Sequence, residues 1–275
     1  MSAAGVTLPR RSVGRLRRRL HRLEPAAIAG VMSRDITNFK TFWKTTTFSS
    51  VLDPTIYLLA FGLGFSATLI SDVDGLDYVF FLGTGMVGTA VLFSSVFSAM
   101  YGVFVKHRFQ RTYDAILAAP VDTEELVTAE IAWLGLRAGI YGVAPLLVTM
   151  LFGLDPAWGM LTVPFIGAIT GAGFAALGVF AAAAVAKIDH FNYIQSALIT
   201  PLFLISGTFF PIEELPEAAQ VISNANPLYN CVELIRHAVL FGFETTDLLR
   251  AAYLLVFAFA AWRLAVWRLQ KRLIE

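Results

Sequence analysis

The chain has 275 residues, of which 57% are hydrophobic and 15% charged, with a formal net charge of +1. So apolar a composition excludes an ordinary soluble domain of this length, and the near-zero charge gives no reason to expect a nucleic-acid partner. The class that remains is an all-α integral membrane protein.

Residues 1–24 form a basic tail carrying Arg10, Arg11, Arg15, Arg17, Arg18, Arg19 and Arg22, suited to water or to anionic lipid. Pro25 then opens a stretch, 25–44, in which Ile28, Met32, Ile36, Phe39 and Trp43 recur at helical spacing. It reads as an amphipathic helix in the cytoplasmic interface, either a simple anchor or one that also touches a cytoplasmic partner. A transmembrane helix needs about 20 mostly apolar residues, and that ruler picks out six spans within 45–275. They are Phe48 to Ile70, Tyr78 to Val103, Leu126 to Phe152, Met160 to Ala186, Tyr193 to Phe210 and Leu248 to Trp267. Between spans five and six, "IEELPEAAQVIS", the break "NANP" and the stripe Leu228, Val232, Ile235 and Val239 predict two short helices. Each is too short to span, so the pair reads as a re-entrant helical hairpin dipping into the outer leaflet, with an amphipathic surface loop as the other reading.

Lys and Arg near span ends stay cytoplasmic. The basic tail, Arg34, Lys40, Lys44, Lys106, Arg108, Arg111, Lys187, Arg268, Lys271 and Arg272 all fall on one side, while "SDVDGLD" and "GLDP" opposite are acidic. Both termini are therefore expected in the cytoplasm and the protein in the cell membrane. No signal peptide is visible. The lone Cys231 has no cysteine to pair with in this chain, and the histidines lack metal-ligand spacing. No nucleophile with a base and an orienting group is discernible, so the expected catalytic and metal residues are none.

Within "QRTYDAILAAPVDTEEL" (110–126), Tyr113, Ile116 and Leu117 share one helical face, and Pro120 stops the helix before an acidic run. That face either docks onto a partner or packs on the chain's own span ends. Arg137 lies about eleven residues into the third span, roughly 16 Å deep, with Glu130 two turns away on nearly the same face. The two fit a polar seam between helices, and Arg137 alternatively contacts cargo. "GLRAG" (135–139) and "GAITG" (167–171) fit close helix packing through small residues.

Five pieces in order resemble the membrane subunit of ABC-2 type exporters, and most closely the branch of nodulation lipo-oligosaccharide exporters and daunorubicin-resistance permeases. They are "LDPTIYLLAFGLGF" (52–65), "QRTYDAILAAPV" (110–121), "DHFNY" (189–193), "SGTFFPIEELP" (206–216) and "NPLYNCVELIRHAVLFG" (226–242). The resemblance implies a six-helix permease that pairs with a second copy, a homodimer before a heterodimer, and is driven by two copies of a separate ABC ATPase. No G-x-x-x-x-G-K-[ST] loop occurs in the chain, so ATP and Mg²⁺ are expected in that partner, with no cofactor here and no enzyme activity of its own.

The resemblance further implies that the 110–121 helix couples to the ATPase, through Arg111, Tyr113, Asp114, Ile116, Leu117 and Pro120. It places spans one and five near the translocation route, so Phe61, Phe65, Tyr193, Phe203, Phe209 and Phe210, with Arg137, either line a path or face lipid. The expected cargo is amphipathic: a glycolipid, lipo-oligosaccharide or polysaccharide first, a hydrophobic drug or antibiotic second. A secondary transporter would show repeated halves with midplane charges, and an intramembrane enzyme a cluster of catalytic groups at the membrane surface. Neither pattern is evident.

Overall fold

A computed structural model describes residues 23–63, 72–73 and 75–274. It is nearly all helical. The long elements are α1 (Pro25–Tyr57, extended by a π-helical turn Leu58–Leu63), α2 (Tyr78–Arg108), α4 (Thr123–Leu151), α5 (Val163–Ala184) and α10 (Thr245–Ile274). Shorter ones are α3 (Thr112–Leu117), α6 (Phe191–Ile194), α7 (Thr200–Leu204), α8 (Glu217–Asn224) and α9 (Pro227–Arg236). A minimal antiparallel strand pair, β1 (Asp72–Val73) and β2 (Leu76–Asp77), sits before α2, with Asp72 opposite Asp77.

Among the described residues, four helices are long and apolar enough to cross a membrane: Tyr78–Arg108, Thr123–Leu151, Trp158–Ala184 and Thr245–Leu273. The first three form a bundle, with α5 packed between α4 and α2 and α10 laid on its outer side. Small residues set the α4–α5 separation. A β-carbon at Gly135 would stand 2.8 Å from the Ala168 carbonyl oxygen, and one at Gly139 2.8 Å from the Ala168 amide nitrogen. The expected small-residue packing face is therefore an α4–α5 seam within the chain. Pro145 lies inside α4, where it has no N–H to offer the carbonyl four residues earlier, and the Thr149 hydroxyl donates to the Pro145 carbonyl at 2.8 Å.

Two expected boundaries are corrected. No break separates the 25–44 segment from the span after it, because α1 is one helix of 33 residues. It climbs obliquely along α4: the Glu24 amide bonds Glu125, Phe39 meets Trp133 and Tyr141, Thr47 bonds Tyr141, and Leu58 ends among Tyr78, Leu82 and Val148. The helix continues because "FWKTTTFSSVLD" holds no Gly or Pro, while its hydroxyl-rich face keeps it below the hydropathy of a lipid-surrounded span. The expected tail of that span, 64–70, lies outside the described residues.

The second concerns the expected span 193–210, whose helical part runs from 191 and ends at Leu204. It is α6, a π-helical turn Gln195–Ile199 and α7, ending in a turn where Gly207 has φ +69°. Fourteen residues reach at most about 21 Å, short of about 30 Å of hydrocarbon. The "SGTFFP" sequence supplies the turn that stops it. Beyond it, α8 and α9 meet at Asn226, whose side chain caps α9 by accepting from the Leu228 amide at 2.9 Å. Helix α9 is buried against α2, α5 and α10, with Leu228, Val232 and Ile235 fully covered.

Candidate functional site

Polar and aromatic groups gather into several constellations along the bundle. The lowest surrounds α3. After α2, Arg111 turns the chain through a left-handed backbone with φ +51°, alone in this among the described non-glycine residues, which aims α3 back at the bundle. Tyr113 is 1% exposed and sits among Val103, Phe104, Leu126 and Val127, with Ile116 and Leu117 half-buried beside it. The outward face is Arg111, Asp114, Ala115, Ala118, Ala119 and Pro120. Of the two readings of this face, packing on the chain's own helices is the one described for Tyr113, which anchors the helix, while small residues form its exposed surface. Behind it, Glu125 closes a capping box with Asp122 and also accepts the Glu24 amide at 2.7 Å, tying the start of α1 to the start of α4.

Directly above Tyr113 lies a buried charge cluster drawn from three helices. Lys106 of α2 donates to both oxygens of Glu130 at 2.8 Å and to Asp35 of α1 at 3.1 Å. Arg34 holds Asp35 at 2.7 Å and stands 3.8 Å from Glu130. Asp35 and Glu130 are 4% and 2% exposed. Two cations balance two anions, which is what makes such burial tolerable. Burial first, then the Glu130 and Asp35 carboxylates with a side-chain hydrogen bond to Glu130, hold the Tyr113 phenol well above the usual tyrosine range. It stays a protonated donor. The expected Glu130–Arg137 seam does not form: Lys106, a whole helix away in sequence, takes Glu130.

Arg137 instead opens the second constellation. It donates to the Ser94 carbonyl at 3.1 Å and to the Ser98 hydroxyl, with its guanidinium 5.9 Å over the Phe39 ring. It lines a groove of about 700 Å³ between α1, α2 and α4. Thr45, Thr46, Ser49, Ser50 and Asp53 project from α1, Thr89, Ser94 and Ser98 from α2, and Tyr141 from α4. Apart from Arg137, sequence reading missed this lining, because each hydroxyl is unremarkable alone. The available signal was the alignment of Thr45, Ser49 and Asp53 at helical spacing on one face of α1.

An aromatic row borders the groove. Tyr57 stacks on Phe61 at 6.0 Å, Phe61 meets Phe209 at 5.8 Å, Phe209 meets Phe203 at 5.2 Å, and Phe203 meets Phe93 at 5.1 Å, with Phe97 at 5.4 Å beyond. Phe61, Phe203 and Phe209 are thus brought together, while Tyr57 and Phe93 also line the groove itself. Tyr193 stands apart beside His190 and is 75% exposed, Phe210 is exposed outside the row, and Phe65 lies outside the described residues.

At the far end a second charge network fastens α9. Arg236 is buried over the Phe81 ring at 3.9 Å, bonds Glu233, and donates to the Gly207 carbonyl at 2.9 Å. His237 meets Asp247 at 2.9 Å, and Arg250 reaches Asp247 at 3.3 Å. Cys231 is fully buried, and burial pushes its thiol up to about 12. No cluster of metal-ligating side chains occurs among the described residues.

Comparison with known proteins places this architecture. A family model described as ABC-2 type transporter matches residues 26–240. Nodulation protein J of Sinorhizobium fredii is 32% identical over 237 residues, covering 85% of this chain and 90% of that protein. Nodulation protein J of Rhizobium leguminosarum bv. viciae is 33% identical over 202 residues, covering 72% and 78%. The inner membrane transport permease YadH of Escherichia coli is 24% identical over 250 residues, covering 90% and 95%. With that match and these relatives, the chain belongs to the ABC-2 type transporter family, as a membrane permease.

Proposed function

We propose that this chain is the permease of an exporter that carries an amphipathic, hydroxyl-rich cargo, a lipo-oligosaccharide or related glycolipid, along the groove between α1, α2 and α4. The observation that carries this reading is the pairing within one groove of a hydroxyl-lined wall with the edge of an aromatic row. Sugar hydroxyls find partners on Thr45, Ser49, Ser94 and Tyr141, and apolar ring faces or an acyl chain lie against Tyr57 and Phe93. Arg137 orients the headgroup. A planar hydrophobic drug would use only the aromatic side, leaving a charged and hydroxylated wall unpartnered, which is unfavourable. The nodulation proteins among the relatives support the lipo-oligosaccharide reading, and YadH supports a broader transport theme.

The energy source in this reading is a separate ABC ATPase, two copies of which hold ATP and Mg²⁺ and dock on the exposed face of α3. A second permease copy completes a homodimer. Both termini lie in the cytoplasm, on the side of Lys106, Arg108, Arg111 and Lys187, and α8 with α9 forms a hairpin at the outer side.

Reconstitution with the ATPase in liposomes tests it, with a fluorescent acylated oligosaccharide as probe. ATP-dependent accumulation of the probe is expected, lowered at least tenfold by Arg137→Met, while the ATPase remains bound. Transport of a hydrophobic dye with no effect of Arg137→Met would overturn the glycolipid reading in favour of drug efflux.

A further inference from the structure

We infer that Arg137 and Ser98 form an anion subsite in the groove, and that the cargo carries a negatively charged substituent, a carboxylate or a sulfate or phosphate ester, which this pair receives. The inference rests on the glycolipid reading of the groove and narrows it to an acidic member of that class. Arg137 stands at the middle of α4, fourteen residues from Thr123 and fourteen from Leu151, about 21 Å from either end. A guanidinium at that depth in a membrane segment needs an anion or a polar cavity to meet it. The other cations drawn into the bundle are matched: Lys106 has Glu130 and Asp35, Arg34 has Asp35, and Arg236 has Glu233. Arg137 makes no ion pair among the described residues; its polar contacts there are Ser94 and Ser98. Asp35, one helical turn before Phe39 on α1, is already held by Arg34 at 2.7 Å and by Lys106 at 3.1 Å. Asp53, the carboxylate that lines the groove, lies fourteen residues beyond Phe39, the ring over which the guanidinium rests, which is about 21 Å along α1.

Two donors converge here without an acceptor. Nη2 of Arg137 makes both of the side chain's hydrogen bonds, to the Ser94 carbonyl at 3.1 Å and to the Ser98 hydroxyl oxygen, while Nη1 has no acceptor among the described residues. Ser98 differs from the other hydroxyls of its helix. Thr84, Thr89, Ser94 and Ser95 each donate to a carbonyl three or four residues back, whereas Ser98 accepts from Arg137 and donates to no described residue. The Ser94 carbonyl, four residues before Ser98 and the acceptor such a hydroxyl would use, is held by Arg137 instead. The Arg137 Nη1 and the Ser98 O–H are therefore open donors tied to each other, on two residues that line the groove. A neutral sugar hydroxyl could accept from them but would leave the guanidinium charge unmatched, whereas an anionic oxygen meets both the donors and the charge.

The test uses the complex with its ATPase in phosphatidylcholine liposomes and two fluorescent acylated oligosaccharides that differ at one carbon, a hydroxymethyl group in one and a carboxylate in the other. The wild type should transport the acidic probe with a KM roughly tenfold lower, the scale of one hydrogen bond to a charged group. Arg137→Gln should erase that preference, Arg137→Lys should retain part of it, and Ser98→Ala should shrink it severalfold. The quantity compared is the ratio of the two KM values within each variant, so a general loss of folding or transport cancels. Equal KM values in the wild type, or a preference that persists in Arg137→Gln, would overturn the subsite. Phosphatidylglycerol vesicles examine the other source of an anionic group. Retention of that lipid by the wild type but not by Arg137→Gln, together with equal KM values for the two probes, would give the subsite to a membrane lipid and overturn its assignment to cargo. Failure of the glycolipid reading itself looks different: a hydrophobic dye would be transported and neither oligosaccharide would, and the inference falls with it.

Discussion

Replacing Tyr113 by Ala separates two roles for α3, an anchor in the chain's own core or an aromatic tip for a partner. The ring is 1% exposed and belongs to the same apolar core as Phe104, Leu126 and Val127. Aromatic-to-alanine changes at buried sites cost about 3–5 kcal/mol, part transfer and part cavity. Glu130 keeps Lys106 at 2.8 Å, so no unpaired buried charge adds to that cost. For a chain of this size, 1 kcal/mol moves the thermal midpoint by about 2–4 °C, so the isolated subunit should melt on the order of 10 °C lower. Ala118→Arg, on the exposed face, should leave the midpoint nearly unchanged, as surface substitutions do within about 0.5 kcal/mol, yet cut ATPase retention at least tenfold. The assay pairs thermal unfolding of the detergent-solubilised subunit with pull-down of the ATPase. A Tyr113→Ala subunit that melts like the wild type while losing the ATPase would refute the anchor argument, since it would put the ring at the interface after all.

Cys231 should resist a maleimide at pH 7–8 in the folded protein and react only after denaturation. Its raised thiol pKa leaves almost no thiolate below about 12, and rapid native labelling would contradict the burial of α9. Gly139→Leu should destabilise the subunit by about 1–3 kcal/mol through overpacking of the α4–α5 seam, measurable by thermal unfolding; an unchanged midpoint would mean the helices are further apart than described. Cysteines at Glu214 and Thr123 should label from outside and only after permeabilisation, respectively, and surface labelling of Thr123 in intact cells would reverse the orientation.

Composition and the length of apolar runs were enough to establish a helical membrane protein, because hydrocarbon leaves the backbone few alternatives. The spans at Tyr78, Leu126 and Met160, the break at residues 224–227, and the family resemblance were legible for the same local reason: each depends on residues adjacent in the chain. The inward turn of Tyr113 was not, since a six-residue helix presents apolar groups on one face whichever body that face meets. Nor was the partner of Glu130, because helical periodicity relates it to Arg137 on its own helix, while Lys106 and Asp35 reach it only when α1 and α2 are packed against α4. The fifth expected span is shorter in space than its apolar run suggests, since a π-helical turn and the Gly207 turn shorten it. The groove, too, belongs to tertiary structure alone. Hydroxyls on α1 and α2 and a guanidinium on α4 become one lining only after three helices, each acceptable by itself as a membrane or interfacial segment, leave a gap that none of their sequences records.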